Sequence, residues 1–516
     1  MKQCNHGWPR GIGLGLCAWL AMAGNAHAVN TEVSPEFYRV SSAPAEPLQM
    51  DPPKLPDLTP FTPAAVEAKI VRKPAAKVSL QRMTGMDQLT EFTGGDERLR
   101  EWVSRQRGMP QAIVVEGGYL TPAGLAKALQ PRYFAEVEPG VYMLRAPLVV
   151  MPGATLHIDK ATKDFRMSTD RGAFLINDGK LFITDTRVTA WREADNKQDW
   201  FAKKGQFRPF INAWGGTETY VVGSTISSLG YTSSKSYGFS ISQYSPSMHP
   251  KMKRGHPTGW LLNSKWDDMW YGFYCYEADD VVIRGNTYIN NLVYGIDPHD
   301  RSRRLIIAEN TAYGTKQKHG IIVSREVNDS WIFHNRSYEN ELSGIVIDRS
   351  SVNNVLAYNE TYRNKSDGVT IYESGNNLLW GNKAYNNERH GIRVRNSMNI
   401  KLYENLVVSN GKLGVYGHVK DLSNTDRDLL LDPFETSISM LIVGGKLVAN
   451  SSGPMGVDSP LSLELYRVEM LSPTKSAGIT LPGILGPYQD KILDLMVRQD
   501  KPVLIDYLGK DMEAKR

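Results

Sequence analysis

Tyr294, Asp297, His299 and Asp300 fall within one short stretch, "YGIDPHDRS", set in otherwise apolar and Asn-rich sequence. A histidine flanked by carboxylates suits a general base whose ring is oriented, and whose pKa is adjusted, by a neighbouring negative charge. Asp297 and Asp300 alone would also fit the carboxylate pair of a glycosidase, but that chemistry leaves the histidine without a task. The sequence contains no H-x-x-x-H or C-x-x-C pair, no Asp-x-Asp-x-Asp-Gly loop, no Gly-rich phosphate loop and no G-x-S-x-G elbow. No metal or other cofactor is therefore expected.

What positions these residues is a repeat. Glycines that open an alternating run recur at Gly272, Gly295, Gly320, Gly344, Gly368, Gly391 and Gly414, at intervals of 23 to 25 residues. An asparagine precedes each of them (Asn263, Asn286, Asn310, Asn335, Asn359, Asn382 and Asn405), and in the third case the offset is one residue longer than in the others. A second polar column runs through Asn291, Asn340, Asn364, Asn387 and Asn410, and an aromatic one through Tyr313, Tyr338, Tyr362 and Tyr385. Short β-rich runs such as "GIVIDR" and "GVTIYE", separated by Asn/Gly turns, fit one coil of a parallel β-helix per period. The predicted class is all-β, a right-handed parallel β-helix over 145–424. It lies between an N-terminal cap (64–144) and a C-terminal cap (425–516), with a Pro-rich extended arm at 29–63.

Strand alternation then assigns faces. The first and third positions after each glycine are apolar and face the core. The second and fourth face outward, placing Asp297 and His299 on one face with Ser324, Asp348, Tyr372, Arg393 and Arg395 along it. At the fifth position, where the strand turns, Asp300 is followed one coil on by Arg325 and then by Arg349. Lys316, Lys318 and His319 sit in the coil with the extra residue. Pro298, in an apolar core column, breaks the local rule as functional sites tend to do. Tyr294, Asp297, His299 and Arg325 are the expected catalytic set. Asp300, Lys316, Lys318, His319, Ser324, Asp348, Arg349, Tyr372, Arg393 and Arg395 are expected to bind substrate.

Histidine beside arginine suits removal of a weakly acidic proton next to a carboxylate, as at C5 of a uronic acid. The arginine neutralises charge that builds on the carboxyl group, and the histidine takes the proton. Tyr294 or a water returns one. Reprotonation from the opposite face inverts C5, whereas expulsion of the C4 substituent cleaves the chain, and the residues alone do not choose. A non-catalytic carbohydrate-binding scaffold is the third reading.

The first residues carry Lys2 and Arg10, a short apolar run from Gly11 to Gly24, and Ala26-His27-Ala28. This pattern predicts a secretory signal peptide cleaved after Ala28, and hence a soluble, exported protein that does not span the membrane. Cleavage would remove Cys4 and Cys17, leaving Cys275 as a buried apolar side chain without a disulfide partner. Net charge falls from +5 to +3 as Lys2 and Arg10 depart. This permits a polyanionic partner, and no nucleic-acid module is present. The basic stretch His249–Pro257 reads equally as a solvated insertion or a lid.

With "YGIDPHD" on such a solenoid, the chain resembles the mannuronan C5-epimerases of alginate-producing bacteria, and is similar to the periplasmic branch rather than the extracellular calcium-dependent one. The resemblance implies conversion of β-D-mannuronate to α-L-guluronate within polymannuronate, His299 as base and Arg325 as neutraliser of the carboxylate. Tyr294 and Asp297 match the Tyr and first Asp of the motif. It also implies a place among periplasmic and outer-membrane alginate export proteins. Asp300 stands where extracellular relatives often have Glu. No calcium-binding nonapeptides follow the repeat, so a calcium requirement does not carry over.

Overall fold

A computed structural model of the 516-residue chain describes residues 37–42, 48, 51–72, 74–86, 89–90, 93, 96–106, 109–233, 235–243, 254–472 and 478–509. The signal-peptide and cleavage-site residues, and residues 249–253 of the basic stretch, lie outside these. Among the described residues the strands form three long sheets of 15, 14 and 15 strands, almost all parallel. Each coil contributes one strand to each sheet, so a residue's neighbours in space are the residues one period away. This is the expected parallel β-helix. No helix among the described residues is long and apolar enough to cross a membrane.

The core is built by the predicted columns. Phe273, Ile296, Ile321, Ile345, Val369 and Ile392 are fully buried, as are Cys275, Val323, Ile347, Ile371 and Val394. Cys275 is a free, buried thiol, as expected. At the fifth position the chain turns through a left-handed residue in six successive coils: φ is +47° at Glu277, +38° at Asp300, +61° at Arg325, +52° at Arg349, +46° at Glu373 and +48° at Asn396. Such conformations are unfavourable for side chains with a Cβ, and the stack imposes them where backbone pairing demands a corner.

The asparagine columns are buried hydrogen-bond ladders. Each amide from Asn286 through Asn310, Asn335, Asn359 and Asn382 donates to the next side-chain oxygen at 2.9–3.1 Å, ending on Asn405. The same oxygens accept backbone N–H groups of the preceding coil, so corner groups that strand pairing leaves open are satisfied. Asn263 departs from expectation: the ladder position on its coil is Ser264, whose N–H bonds the Asn286 oxygen at 3.0 Å. Asn340, Asn364, Asn387, Asn410 and Asn450 form a second ladder at 2.9 Å spacing. Tyr313, Tyr338, Tyr362 and Tyr385 stack with ring centroids 4.7–5.0 Å apart.

The ladders run past both ends of the 145–424 span. They take in Gln111–Glu116, Phe134–Glu138 and Val141–Leu144, and resume after an insertion with Ser439–Val443, Lys446–Val448 and Met455–Val457. The insertion stretches the Asn410-to-Asn450 interval to 40 residues and so hides the register from sequence periodicity.

The described residues of the Pro-rich segment are bound to the stack. Tyr38–Ser42 pairs antiparallel with Val503–Tyr507 at the C-terminal end of the stack. Leu55, Leu58 and Phe61 then pack on the apolar outer face of one sheet. Arg284 fixes this segment by donating to the carbonyls of Leu58 and Phe61 at 2.7 and 3.3 Å. Farther on, Lys77–Arg82 pairs antiparallel with Gln111–Glu116 at the opposite end. One stretch of chain thus ties the two ends together.

Asn335→Ala should lower unfolding free energy by about 3 kcal/mol or more, because it strips partners from several buried groups at once. A urea-unfolding midpoint within error of the parent would show that the ladder does not stabilise the stack.

Candidate active site on the outer face of one sheet

The strand Tyr294–His299 carries the acidic motif, and parallel pairing sets its neighbours. One column reads Tyr276, His299, Ser324, Asp348, Tyr372, Arg395 and His418, each on successive coils. The inter-coil step is about 4.8 Å. Asp297 pairs with Tyr274 in the next outward column.

Outward-facing is not solvent-facing, which corrects the simple alternation. Asp297 is 2 % exposed, Ile322 5 % and Val346 1 %. Lys318 reaches Tyr294 at one end of this face, and Asp432 meets Arg325 and Arg349 at the other. Burial pushes the Asp297 carboxyl up to about 7, partly opposed by the charges of His299 and Lys318, and its Oδ1 has no hydrogen-bond partner.

The residue that orients His299 is Asp300, not Asp297. His299 Nδ1 and Asp300 Oδ2 are 2.5 Å apart, because the left-handed turn at Asp300 swings its side chain back onto the ring. Burial acts to lower the imidazole pKa, but the Asp300 hydrogen bond and the charges of Asp297 and Asp300 outweigh it, and the net shift is upward. Burial likewise acts to raise Asp300, and its bond to His299 with the charges of His299, Arg325 and Arg301 brings it below the ordinary range. Asp297 acts on the ring through charge alone. Nδ1 being engaged, Nε2 is the nitrogen left for a substrate proton.

Arg325 stands one coil on, its Nη1 3.7 Å from Asp300 Oδ1. Its Nη2 donates to Asp432 Oδ2 at 2.8 Å, and Arg349 donates to the same oxygen at 3.2 Å. Asp432 belongs to the insertion and has no repeat signal, so the periodic reading missed it. A cavity of about 260 Å³ opens among Tyr276, Asp300, Arg325, Arg349, Leu431 and Asp432.

At the other end of the strand, Lys318 donates to the Tyr294 hydroxyl at 3.0 Å. His319 lies nearly parallel to the Tyr294 ring, with centroids 6.1 Å apart. Burial holds the Tyr294 phenol above its ordinary range. His319 accepts the Ser343 N–H at 3.1 Å, and burial with the Lys318 charge lowers it to about 3. It is a neutral ring supporting Tyr294, not a cation for substrate. Ring contacts link Tyr294 to Tyr271, Tyr271 to Tyr274 and Tyr274 to His299 at 5.1, 6.0 and 5.9 Å. Tyr271 and Tyr274 were not among the expected site residues, though Tyr274 occupies the outward position that Asp297 takes one coil on.

The other expected residues divide. Ser324 donates to Asp348 at 3.1 Å within the groove. Arg395 donates to Glu373 at 2.8 Å and lies 3.8 Å over the Tyr372 ring, and Arg393 donates to His418 at 3.1 Å, so both arginines are engaged by neighbours several coils from His299. Lys316 is held on Asn290 at 3.2 Å at an exposed turn and does not join the His299 group. Among the described residues no group of three or more His, Cys, Asp or Glu side chains is arranged to hold a metal ion.

Fold and site together define a parallel β-helix protein with one grooved face that sets a half-buried imidazole beside a guanidinium on the next coil. Residues 271–425 match the family described as "Right handed beta helix region". The chain is 64 % identical over 478 residues to the mannuronan C5-epimerase of Pseudomonas aeruginosa, covering 93 % of this chain and 88 % of that protein. It is 58 % identical over 499 residues to the mannuronan C5-epimerase AlgG of Azotobacter vinelandii, covering 96 % and 95 %. The crystal structure of a periplasmic alginate epimerase, AlgG, superposes with a TM-score of 0.81 at 54 % identity, over 82 % of this chain and all of that one. The chain belongs to the mannuronan C5-epimerases.

A base must be neutral to accept a proton, and the net shift on His299 is upward. The rate constant kcat/KM should therefore rise with pH through an apparent pKa above the ordinary 6.5. Asp300→Asn removes the hydrogen bond to a carboxylate and the charge that do most to hold it up, leaving only the Asp297 charge to oppose burial, so the acid limb should move to lower pH while kcat falls. An unmoved limb would separate Asp300 from the titrating group.

Proposed function

We propose that the protein inverts C5 of β-D-mannuronate units within polymannuronate, giving α-L-guluronate, through the His299–Asp300 pair and Arg325. The observation that carries this reading is the imidazole locked at Nδ1 by a carboxylate, with a guanidinium on the adjacent coil. A uronate whose C6 carboxylate meets Arg325 presents its C5 hydrogen towards His299 Nε2. Charge that builds on the carboxyl group as the proton leaves is then met by a cation already in place in a partly dry groove. Placing the base accounts for about 10²–10⁴-fold of the rate, so charge neutralisation must supply much of the rest.

Reprotonation from the opposite face needs an acid that keeps its proton. Tyr294 fits: its hydroxyl accepts from Lys318, so its own hydrogen remains free to donate, and burial keeps the phenol protonated. Ser324, then Asp348 with Arg349, then Tyr372, on three successive coils along the face, line the track of neighbouring sugar units. We place the enzyme in the periplasm, acting on the polymer alongside alginate export proteins. The N-terminal signal pattern and the periplasmic relative support that placement.

Purified mature protein incubated with polymannuronate in D₂O should yield guluronate carrying deuterium at C5, read by proton NMR. His299→Asn should lower the rate by about 10²–10⁴-fold and Arg325→Lys by about 10²–10³-fold. Unsaturated chain ends would make the reaction a β-elimination, and an unchanged polymer would leave the pair without the role given it.

A further inference from the structure

We infer that Asp432 is a positioning residue for the reaction, holding the Arg325 guanidinium where the substrate carboxylate must meet it. The inference rests on the role of Arg325 proposed above. Asp432 is 4 % exposed and lies in the insertion that interrupts the stack after Val415–His418. That insertion runs back along the fifth-position column. Lys420 exchanges two hydrogen bonds with the Asn396 side chain, at 2.6 and 2.7 Å. Arg427 donates to Glu373 at 2.8 Å and to the backbone carbonyl of Asp432 at 2.7 Å. Asp432 itself then takes Arg325 and Arg349 on one oxygen. The insertion therefore forms a wall along one edge of the groove, anchored coil by coil, and its carboxylate ends at the catalytic cation.

Arg325 needs such a hold. Its backbone is left-handed, its side chain is 34 % exposed, its Nε has no partner, and Asp300 at 3.7 Å is beyond hydrogen-bond reach. Arg349, one coil away, would repel it unless a negative charge stood between them. Asp432 supplies that charge and fixes Nη2 of the fork, leaving Nη1 for a carboxylate.

The test compares Asp432→Asn, Asp432→Glu and Arg325→Lys in the full mature protein. Each is assayed on polymannuronate for kcat, KM, melting temperature and the kinetic isotope effect with C5-deuterated polymer. Asp432→Asn, close in shape, should lower kcat by about 10- to 100-fold, with KM within about twofold of the parent, an unchanged melting temperature and a larger isotope effect. Asp432→Glu should recover part of the loss. Unchanged kcat in Asp432→Asn overturns the inference. So does a lower KM with kcat kept, which would make Asp432 a competitor for the substrate carboxylate, or a loss that follows melting temperature and is not recovered by Glu. If Arg325→Lys also retains full activity, the fault lies with the role given to Arg325. If it is inactive while Asp432→Asn is not, only this inference fails.

Discussion

Backbone pairing between successive coils sets the distance and direction from which everything else in this molecule follows. Once residue i of one coil lies beside its counterpart one period on, side chains fall into columns about 4.8 Å apart. Whatever one coil presents is then a neighbour of what the next presents. The buried Asn ladders guard this register. A slip by one residue would remove each amide from its partner and turn the apolar columns towards the groove. Asp300 and Arg325 are a candidate pair because of that register, although they stand 25 positions apart in the sequence.

Within that frame the chemistry depends on burial acting differently on neighbouring groups. Asp297, with an unpartnered oxygen, is pushed up by desolvation to about 7. Asp300, just as close in sequence, stays low because it has a ring nitrogen and nearby cations to meet. The two carboxylates of one short motif are thus set apart by environment rather than by type. Asp300 and His299 stabilise each other's charged forms, which raises the basicity of the imidazole at the cost of keeping it partly protonated. The same dry floor that strengthens these interactions makes an incoming carboxylate dependent on Arg325.

Most of the architecture was legible because periodicity is a property of sequence. The glycine intervals, the core columns and the aromatic stack all appear where the repeat placed them. The columns also brought Asp297, His299 and Arg325 to one face. What alternation could not convey was depth. It distinguishes inward from outward, but not outward and open from outward and buried, so the outward position of Asp297 carried no sign of its burial. Nor could it resolve which aspartate holds the ring. That depends on the left-handed φ at Asp300, a torsion with no residue signature there. Lys316 and Lys318, two residues apart, looked equivalent, and only the folded turn separates the one on Asn290 from the one on Tyr294. Asp432 was invisible for a different reason: the insertion that carries it obeys no period, and its partner arginines lie 83 and 107 residues away.

A perfectly regular solenoid would offer the same surface at every coil and would have no reason to react at one of them. Three irregularities remove that equivalence, and they converge. Pro298, which lacks a backbone N–H, sits within the strand that bears His299, and pairing with the next coil reduces to Ile296 with Ile321 and His299 with Ser324. The extra residue of the next coil falls between Thr315 and Gly320, since the Thr315 N–H still bonds Asn340 in the second ladder. The lengthened turn carries Lys318 and His319 onto Tyr294. The insertion after His418 bends back to set Asp432 on Arg325. The repeat supplies a rigid base line, while the departures gather Tyr294 with Lys318, His299 with Asp300, and Arg325 with Asp432 at one point along it, the groups to which the proposed mechanism gives the acid, the base and the cation. Activity in such a fold is therefore located by where the periodicity fails, and rigidity by where it holds.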